Sequence, residues 1–294
     1  MISFVQLGTV DYATGLRLQQ QLVGLRKEER IGDVLLLLEH SPVITLGRNA
    51  KTANVIASPE LLAQRGVELF ECDRGGDVTF HGPGQIVGYP IFDLRGFARG
   101  AADAPSALRK SLGAVDFVRR LEEVLIRTCA DFAIPTKRIP GLTGVWTDNN
   151  SLSFRAEEND SQNRSLESRN LLFAGTATNA SSEAKIAAIG VHISRSVTSH
   201  GFALNVNTDL SYFNLIIPCG ITAKPVTSMQ QELGKPLDLN SVAESISRNF
   251  GTVFSSQMLW IETIDALLGR TVGVPMQPPA EFRRLHQEED STCA

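Results

Sequence analysis

The chain has 294 residues, of which 43% are hydrophobic and 20% charged, and its formal net charge is −4. That composition allows a sizeable core in a soluble protein, and the acidic balance gives no argument for nucleic acid as a partner, since such domains usually carry a basic surplus. No apolar run is long enough to span a bilayer, and the start MISFVQLGTVDYATG has no basic segment followed by an apolar one, so no membrane association and a cytoplasmic location are expected.

Tyr12 to Arg30 reads as an amphipathic helix with Tyr12, Leu16, Leu22 and Leu25 on one face. Asp33–Leu38 (DVLLLL) suits a strand buried on both faces, and Val43–Leu46, beyond Pro42, reads as its hairpin partner. Ser58-Pro59-Glu60 opens a short helix through Arg65 that Gly66 ends. Val67–Cys72 reads as a strand entering a glycine-rich segment. Ala107 to Phe132 is the longest helical pattern, with Val115, Val118, Leu121, Leu125 and Cys129 on its core face. Gly144-Val145-Trp146 looks like a short strand. Asp148 to Ser182 is rich in Asn, Ser, Glu and Arg, a composition that cannot bury much surface, and reads as a flexible insertion. Strands are expected at Lys185–Ile193 and Gly201–Val206, helices near Leu239–Phe250 and Met258–Leu268, and a polar tail after Pro275. Helices and strands mix without regular alternation, which argues for an α+β fold.

Two regions carry chemistry. The first is Arg74-Gly75-Gly76-Asp77-Val78-Thr79-Phe80-His81-Gly82-Pro83-Gly84-Gln85. Glycine pairs mostly punctuate hairpin turns. Here Arg, His, Thr and Gln lie among them, and exposed amides in such a loop can bind an oxyanion or carbonyl. The segment matches no phosphate-binding glycine motif, so nucleotide binding gains no direct support. The second is Cys219 in Ile216-Ile217-Pro218-Cys219-Gly220-Ile221. The four cysteines, Cys72, Cys129, Cys219 and Cys293, are scattered without a C-x-x-C pair, so neither zinc nor a disulfide framework is suggested. Most lone cysteines are structural, and Cys72 and Cys129 fit that description. Cys219 differs: its proline and glycine neighbours imply a turn, and a thiol there can be exposed in a cleft. Such a thiol ionises more readily beside an ammonium, and Lys185 opens an otherwise apolar stretch, IAAIGV. Spacing alone does not pair the two, and a solvated lysine at a strand start is the commoner case. His81, His192 and His200 compete as the base. By simple alternation His192 faces away from Lys185 and sits at the surface, while His200 either orients its loop or bonds a backbone carbonyl.

The motifs RGGDVTFHGPGQ, KIAAIGVHISRSVTSHGFALNVNTDLSYF, IPCGI and VTSM, in this order, resemble octanoyltransferases of lipoate biosynthesis over the chain up to about Met229. The resemblance implies the α+β fold of biotin and lipoate protein ligases, in one catalytic domain over 1–268 with an insertion at about 148–182 and a tail over 269–294. It implies a catalytic dyad that maps onto Cys219 and Lys185. The substrate-contact segments map onto Arg74, Gly75, Gly76, Asp77, Val78, Thr79, Phe80 and His81, onto Ala188, Ile189 and Gly190, and onto Gly201, Phe202 and Ala203. Two departures are evident: the long connection Asp148–Ser182, and His192 where the family commonly carries Arg or Lys.

The chemistry so implied is attack of Cys219 on octanoyl-acyl carrier protein, followed by transfer to a lysine of lipoyl domains in 2-oxoacid dehydrogenase E2 subunits and the glycine cleavage H protein. Amides around Gly75-Gly76 and Gly190 are candidate oxyanion donors, and Phe80, Val145 and Ile189 candidate walls of an acyl tunnel. Both partners are typically acidic, so Arg74, Arg138, Arg195 and Lys224 are candidates for a positive docking surface. Thioester-to-amide transfer is downhill, so no cofactor, ATP or metal is expected. The rivals are an ATP-dependent lipoate or biotin protein ligase on the same fold, which would not need Cys219, and a non-catalytic acyl-carrier binding module.

Overall fold

The computed structural model describes residues 1–97, 111–148, 183–217 and 224–269. The expected insertion and tail, apart from Asp148 and Gly269 at their borders, lie outside the described residues. Among the described residues no helix is long and apolar enough to cross a membrane.

Strand β1 (Ile2–Val10) leads into helix α1 (Tyr12–Lys27), whose first turn is capped by the Asp11 carboxylate accepting from Thr14 N and whose last turn carries Arg26 and Lys27, as the helix dipole favours. Next come β2 (Asp33–His40), β3 (Val43–Leu46), α2 (Pro59–Gln64, capped by Ser58), β4 (Glu68–Glu71), β5 (Val78–His81) and β6 (Gln85–Ile91). They are followed by α3 (Ala114–Asp131), β7 (Thr136–Ile139), β8 (Leu142–Thr147), β9 (Lys185–Ser194) and β10 (Val197–Asn205). The chain then forms α4 (Met229–Leu233), α5 (Leu239–Val253), β11 (Met258–Trp260) and α6 (Ile264–Leu267). An eight-stranded mixed sheet runs β11-β1-β2-β6-β10-β9-β8-β7, and a three-stranded sheet runs β4-β3-β5. This is an α+β arrangement.

Strand β2 shows why an unbroken apolar run suits this sheet. Leu35 and Leu37 enter the core under α3 and α5, whereas Val34, Leu36 and Leu38 enter the core under α1. Each such side chain, removed from water, contributes about 1.5–3 kcal/mol. A third apolar cluster, with Ile44, Leu62, Val78, Phe80 and Leu215, holds the small sheet to α2.

Three expectations are corrected. Val43–Leu46 is not the hairpin partner of β2: both edges of β2 are already occupied, by β1 in parallel and β6 in antiparallel, and β3 pairs instead with β4 and β5. The long helix begins only at Ala114, capped by Gly113; residues 111–113 precede it and 107–110 lie outside the described residues. Met258–Leu268 is not one helix. Its first three residues pair in parallel with Ile2–Phe4, and a short helix follows at Ile264 behind the Thr263 cap. The outer edge of β1 offers unused backbone groups, and that pairing overrides local helical preference.

In α1 the buried stripe is Tyr12, Gly15, Gln19 and Leu22; Leu16 and Leu25 are only partly buried.

Candidate active site

A cavity of about 460 Å³ opens between the α1 face of the large sheet and the small sheet. Its size falls within the range of small-molecule sites. Its rim includes the exposed residues Asn49, Gly76, Gly141 and Thr143; its buried end is formed by Tyr12, His81, Val87, Tyr89 and His200. Lys185, Ala188, Ile189, Gly190, Gly201, Phe202 and Ala203 line it from β9 and β10, and Arg74, Gly75, Gly76, Asp77, Thr79 and His81 from the glycine-rich segment and β5. Val78 and Phe80 alternate to the other face of β5, where Phe80 stacks on Tyr212 at 4.7 Å in the third apolar cluster. Of the three tunnel-wall candidates, Ile189 reaches the cavity, while Phe80 and Val145 are core residues.

The glycine-rich loop is held from within. Arg74 is only 8% exposed. Its Nε donates to Thr45 Oγ1 at 3.1 Å, Nη1 to Gly75 O at 3.1 Å, and Nη2 to Thr45 O at 2.7 Å, Thr45 Oγ1 at 2.9 Å and Asp77 O at 2.6 Å. Arg74 therefore clasps the loop and is corrected as a docking cation. Gly75 N donates to Val191 O at 3.1 Å, so this amide is corrected as an oxyanion donor. The loop lies so close to β9 that a Cβ on Gly190 would sit 2.6 Å from Gly75 O.

The buried end is polar yet uncharged. His40 Nδ1–H donates to Val10 O at 2.7 Å, so its Nε2 accepts from the Tyr89 hydroxyl at 2.5 Å. Burial pushes His40 down to about 4 and His81, together with the nearby charges of His40 and Arg74, down to about 3. His81 Nδ1–H donates to Gln85 Oε1 at 2.7 Å. Burial raises Tyr12 and Tyr89 above the usual phenol range. Neutral imidazoles and phenols thus face the cavity near pH 7, a floor that an apolar chain can meet without desolvating an ion.

His200 bonds a carboxylate, not a carbonyl. Its Nε2–H donates to Asp73 Oδ1 at 2.6 Å, and its backbone N–H donates to Gln19 Oε1 at 2.8 Å. Burial lowers the His200 pKa, with Asp73 acting in opposition. Burial would raise Asp73, but the His200 hydrogen bond and charge outweigh it and hold the carboxyl below its usual range. His192 stands 3.7 Å from the same carboxylate and its side chain is 20% exposed, so it is corrected as a surface residue.

The alternation argument for His192 fails at an irregularity in β9. Val145 pairs with Ala187 and Trp146 with Lys185, so β9 spends one residue more than β8. Ile186 and Ala187 both enter the core, and Lys185 comes to line the same cavity as Ala188 and Gly190. Lys185 Nζ lies 4.7 Å from the centre of the Trp146 ring.

Cys219 lies outside the described residues. Both flanks of its segment are fastened at the cavity. Ile217 N donates to Asn54 O at 2.7 Å, and Asn54 Nδ2 donates to Asp77 Oδ2 at 2.6 Å. On the other side Lys185 N donates to Pro225 O at 2.8 Å and Thr227 N to Lys185 O at 2.9 Å. The other cysteines differ. Burial pushes the Cys129 thiol up to about 12, and Cys72 Sγ donates to Leu46 O at 3.4 Å.

Two further docking cations are internally balanced: Arg138 pairs with Glu122 at 3.1 Å and Glu123 at 2.8 Å, and Lys224 with Glu183 at 2.6 Å. Arg195 is exposed. The alternation rule and the apolar pattern gave no signal for Thr45, Tyr89 or Leu142; their role follows from the sheet packing.

Residues 11–251 match the lipoyl protein ligase A/B catalytic domain family. The chain is 55% identical over 289 residues to the octanoyltransferase of Koribacter versatilis (strain Ellin345), covering 98% of each chain. It is 52% identical over 270 residues to the octanoyltransferase of Acidobacterium capsulatum, covering 91% of this chain and 96% of that one. Among solved structures it superposes with a TM-score of 0.59 on a bi-partite lipoate protein ligase from Thermoplasma acidophilum, at 12% identity over 92% of this chain and 91% of that one. A lipoate-protein ligase A bound with ATP gives a TM-score of 0.57 at 12% identity, over 92% of this chain and 93% of that one. At these identities the structural likeness speaks for the fold.

Proposed function

This chain belongs to the octanoyltransferases within the lipoyl protein ligase A/B catalytic domain family and is an acyltransferase, and from that premise we propose that it moves an octanoyl group from octanoyl-acyl carrier protein to a lysine of lipoyl domains, in lipoate biosynthesis, through a thioester on Cys219. The observation that carries this reading is the fastening of both flanks of Cys219 to cavity residues, Ile217 through Asn54 to Asp77 and Pro225 with Thr227 to Lys185.

The Cys219 thiolate attacks the carbonyl carbon of the donor thioester. The tetrahedral intermediate expels the pantetheine thiolate, which takes a proton from the Lys185 ammonium. The lysine amine of the lipoyl domain then attacks the enzyme thioester, gives its proton to the now neutral Lys185, and displaces the Cys219 thiolate. The dyad is thereby restored to its starting charges. The octanoyl chain gains about 0.8 kcal/mol per buried CH₂ in the cavity, whose floor of neutral His81, Tyr12 and Tyr89 holds no ion to strip of water.

Intact-protein mass after mixing with octanoyl-acyl carrier protein tests this. An octanoyl adduct is expected on the native chain and no thioester adduct on Cys219→Ser. Transfer that needs ATP, or that survives in Cys219→Ala, would replace this reading with that of an adenylate-forming ligase.

A further inference from the structure

We propose that Trp146 is a positioning residue for Lys185: the indole face holds the lysine head group at the cavity, so acyl uptake starts from a lysine already in place. The proposal rests on the reading of Lys185 as the acid and base of octanoyl transfer, and adds to it a group that touches neither substrate.

Three features converge on the lysine. Trp146 and Lys185 are direct cross-strand partners, so both side chains leave the sheet on one side. Lys185 Nζ sits 4.7 Å from the ring centre, inside the roughly 6 Å range of attraction between a cation and an aromatic quadrupole, for which Trp is the strongest side chain. Gly144 supplies room for the stem. It has φ +122°, and a Cβ there would lie 2.6 Å from Ala187 O and 3.4 Å from Lys185 Cε. Trp146 is 1% exposed, so packing fixes the plane of its ring.

A second ammonium, Lys224 Nζ, lies 5.7 Å from the same ring centre. Its charge is matched elsewhere: Glu183 takes Lys224 at 2.6 Å and Lys137 at 2.8 Å, and Lys137 also meets Asp148 at 3.1 Å. From α3, the buried Glu122 accepts from Gly144 N at 3.2 Å and is matched by Arg119 and Arg138. Arg74, Asp77 and the neutral His81 line the same cavity. These charges balance in local groups, and the ring gives the Lys185 head group a fixed seat beside the cavity.

The chain contains two tryptophans, Trp146 and Trp260. In a Trp260→Phe background, growth on mono-, di- and trifluorotryptophan replaces Trp146 alone with rings of nearly equal size and falling quadrupole. Octanoyl-adduct formation from octanoyl-acyl carrier protein is followed from pH 6 to 10. The expected result is a graded loss of plateau rate, on the order of fivefold for the trifluoro ring. An unchanged plateau and profile across the series, while Lys185→Ala has lost adduct formation, overturns the role of Trp146 alone. Full adduct formation by Lys185→Ala overturns the reading of the lysine and this proposal with it.

Discussion

Replacing Arg74 with Met removes a guanidinium that makes five hydrogen bonds while only 8% exposed, and keeps most of the stem's volume. Asp77 O retains a donor in Gly47 N at 3.3 Å and Thr45 pairs with Thr79 in the β3–β5 ladder, so the loss falls chiefly on Gly75 O. A buried acceptor left without a partner costs about 1–3 kcal/mol. At about 2–4 °C per kcal/mol for a domain approaching this size, the thermal midpoint should fall by about 2–12 °C. Arg74→Lys should recover only part, because an ammonium is a point donor and cannot span Thr45, Gly75 and Asp77 as a planar fork does. Calorimetry of the two variants checks this, with octanoyl transfer measured well below each midpoint. Transfer should fall in Arg74→Met even where the protein is folded, since the loop that lines the cavity loses its clasp. A midpoint within about 2 °C of the native chain would refute the reasoning.

His40 and His81 titrate at about 4 and about 3 in the fold, against 6.5 for the ordinary side chain. Below about pH 6.5 the unfolded chain binds more protons than the folded one, so stability falls as pH falls, by about 1.4 kcal/mol per pH unit for each histidine. The fall in midpoint between pH 7 and 5 should be shallower in His81→Gln; equal slopes would count against the assignment. Gly190→Ala puts a Cβ 2.6 Å from Gly75 O and should cost about 1–3 kcal/mol while pushing the glycine loop off β9, read as a raised KM for the octanoyl donor. Glu122→Ala strips a fully buried carboxylate from Arg119, Arg138 and Gly144 N and should destabilise by about 1–3 kcal/mol, with Glu122→Gln closer to native in urea unfolding.

The fold was legible where local chemistry decided it. Ser58 announces a helix start by its cap, and the DVLLLL run announces a strand with two buried faces. It was not legible where tertiary pairing chose between options. Val43–Leu46 carries the pattern of a hairpin arm, but the edge it would need is taken by β6. Met258–Trp260 fits a helix as well as a strand until β1 offers its edge. The site shows the same division. Ordered motifs pointed to the glycine loop, β9 and β10, and cavity residues come from all three. Parity, however, misplaced His192 relative to Lys185, because one extra residue in β9 resets the alternation without leaving a trace in composition. Arg74 read as a surface charge, and only the three-dimensional course of the loop shows it enclosed by carbonyl oxygens. Leu16 and Leu25 read with Tyr12 as the apolar face of the first helix, yet the buried stripe runs through Gly15 and Gln19 instead.

The parallel pairing of β1 with β11 sets an order of events during synthesis. Ile2 meets Met258, about 250 positions later, whereas β1 and β2 are joined across α1 alone. At roughly 5–20 residues per second, the outer edge of β1 waits on the order of 10–50 s for its partner strand. During that interval Ile2–Phe4 present an open strand edge beside a forming core, the kind of surface to which other chains and chaperones attach. Pairings of such long sequence separation also slow folding. In this chain the last seam of the large sheet is therefore the one most exposed to competition from neighbouring nascent chains.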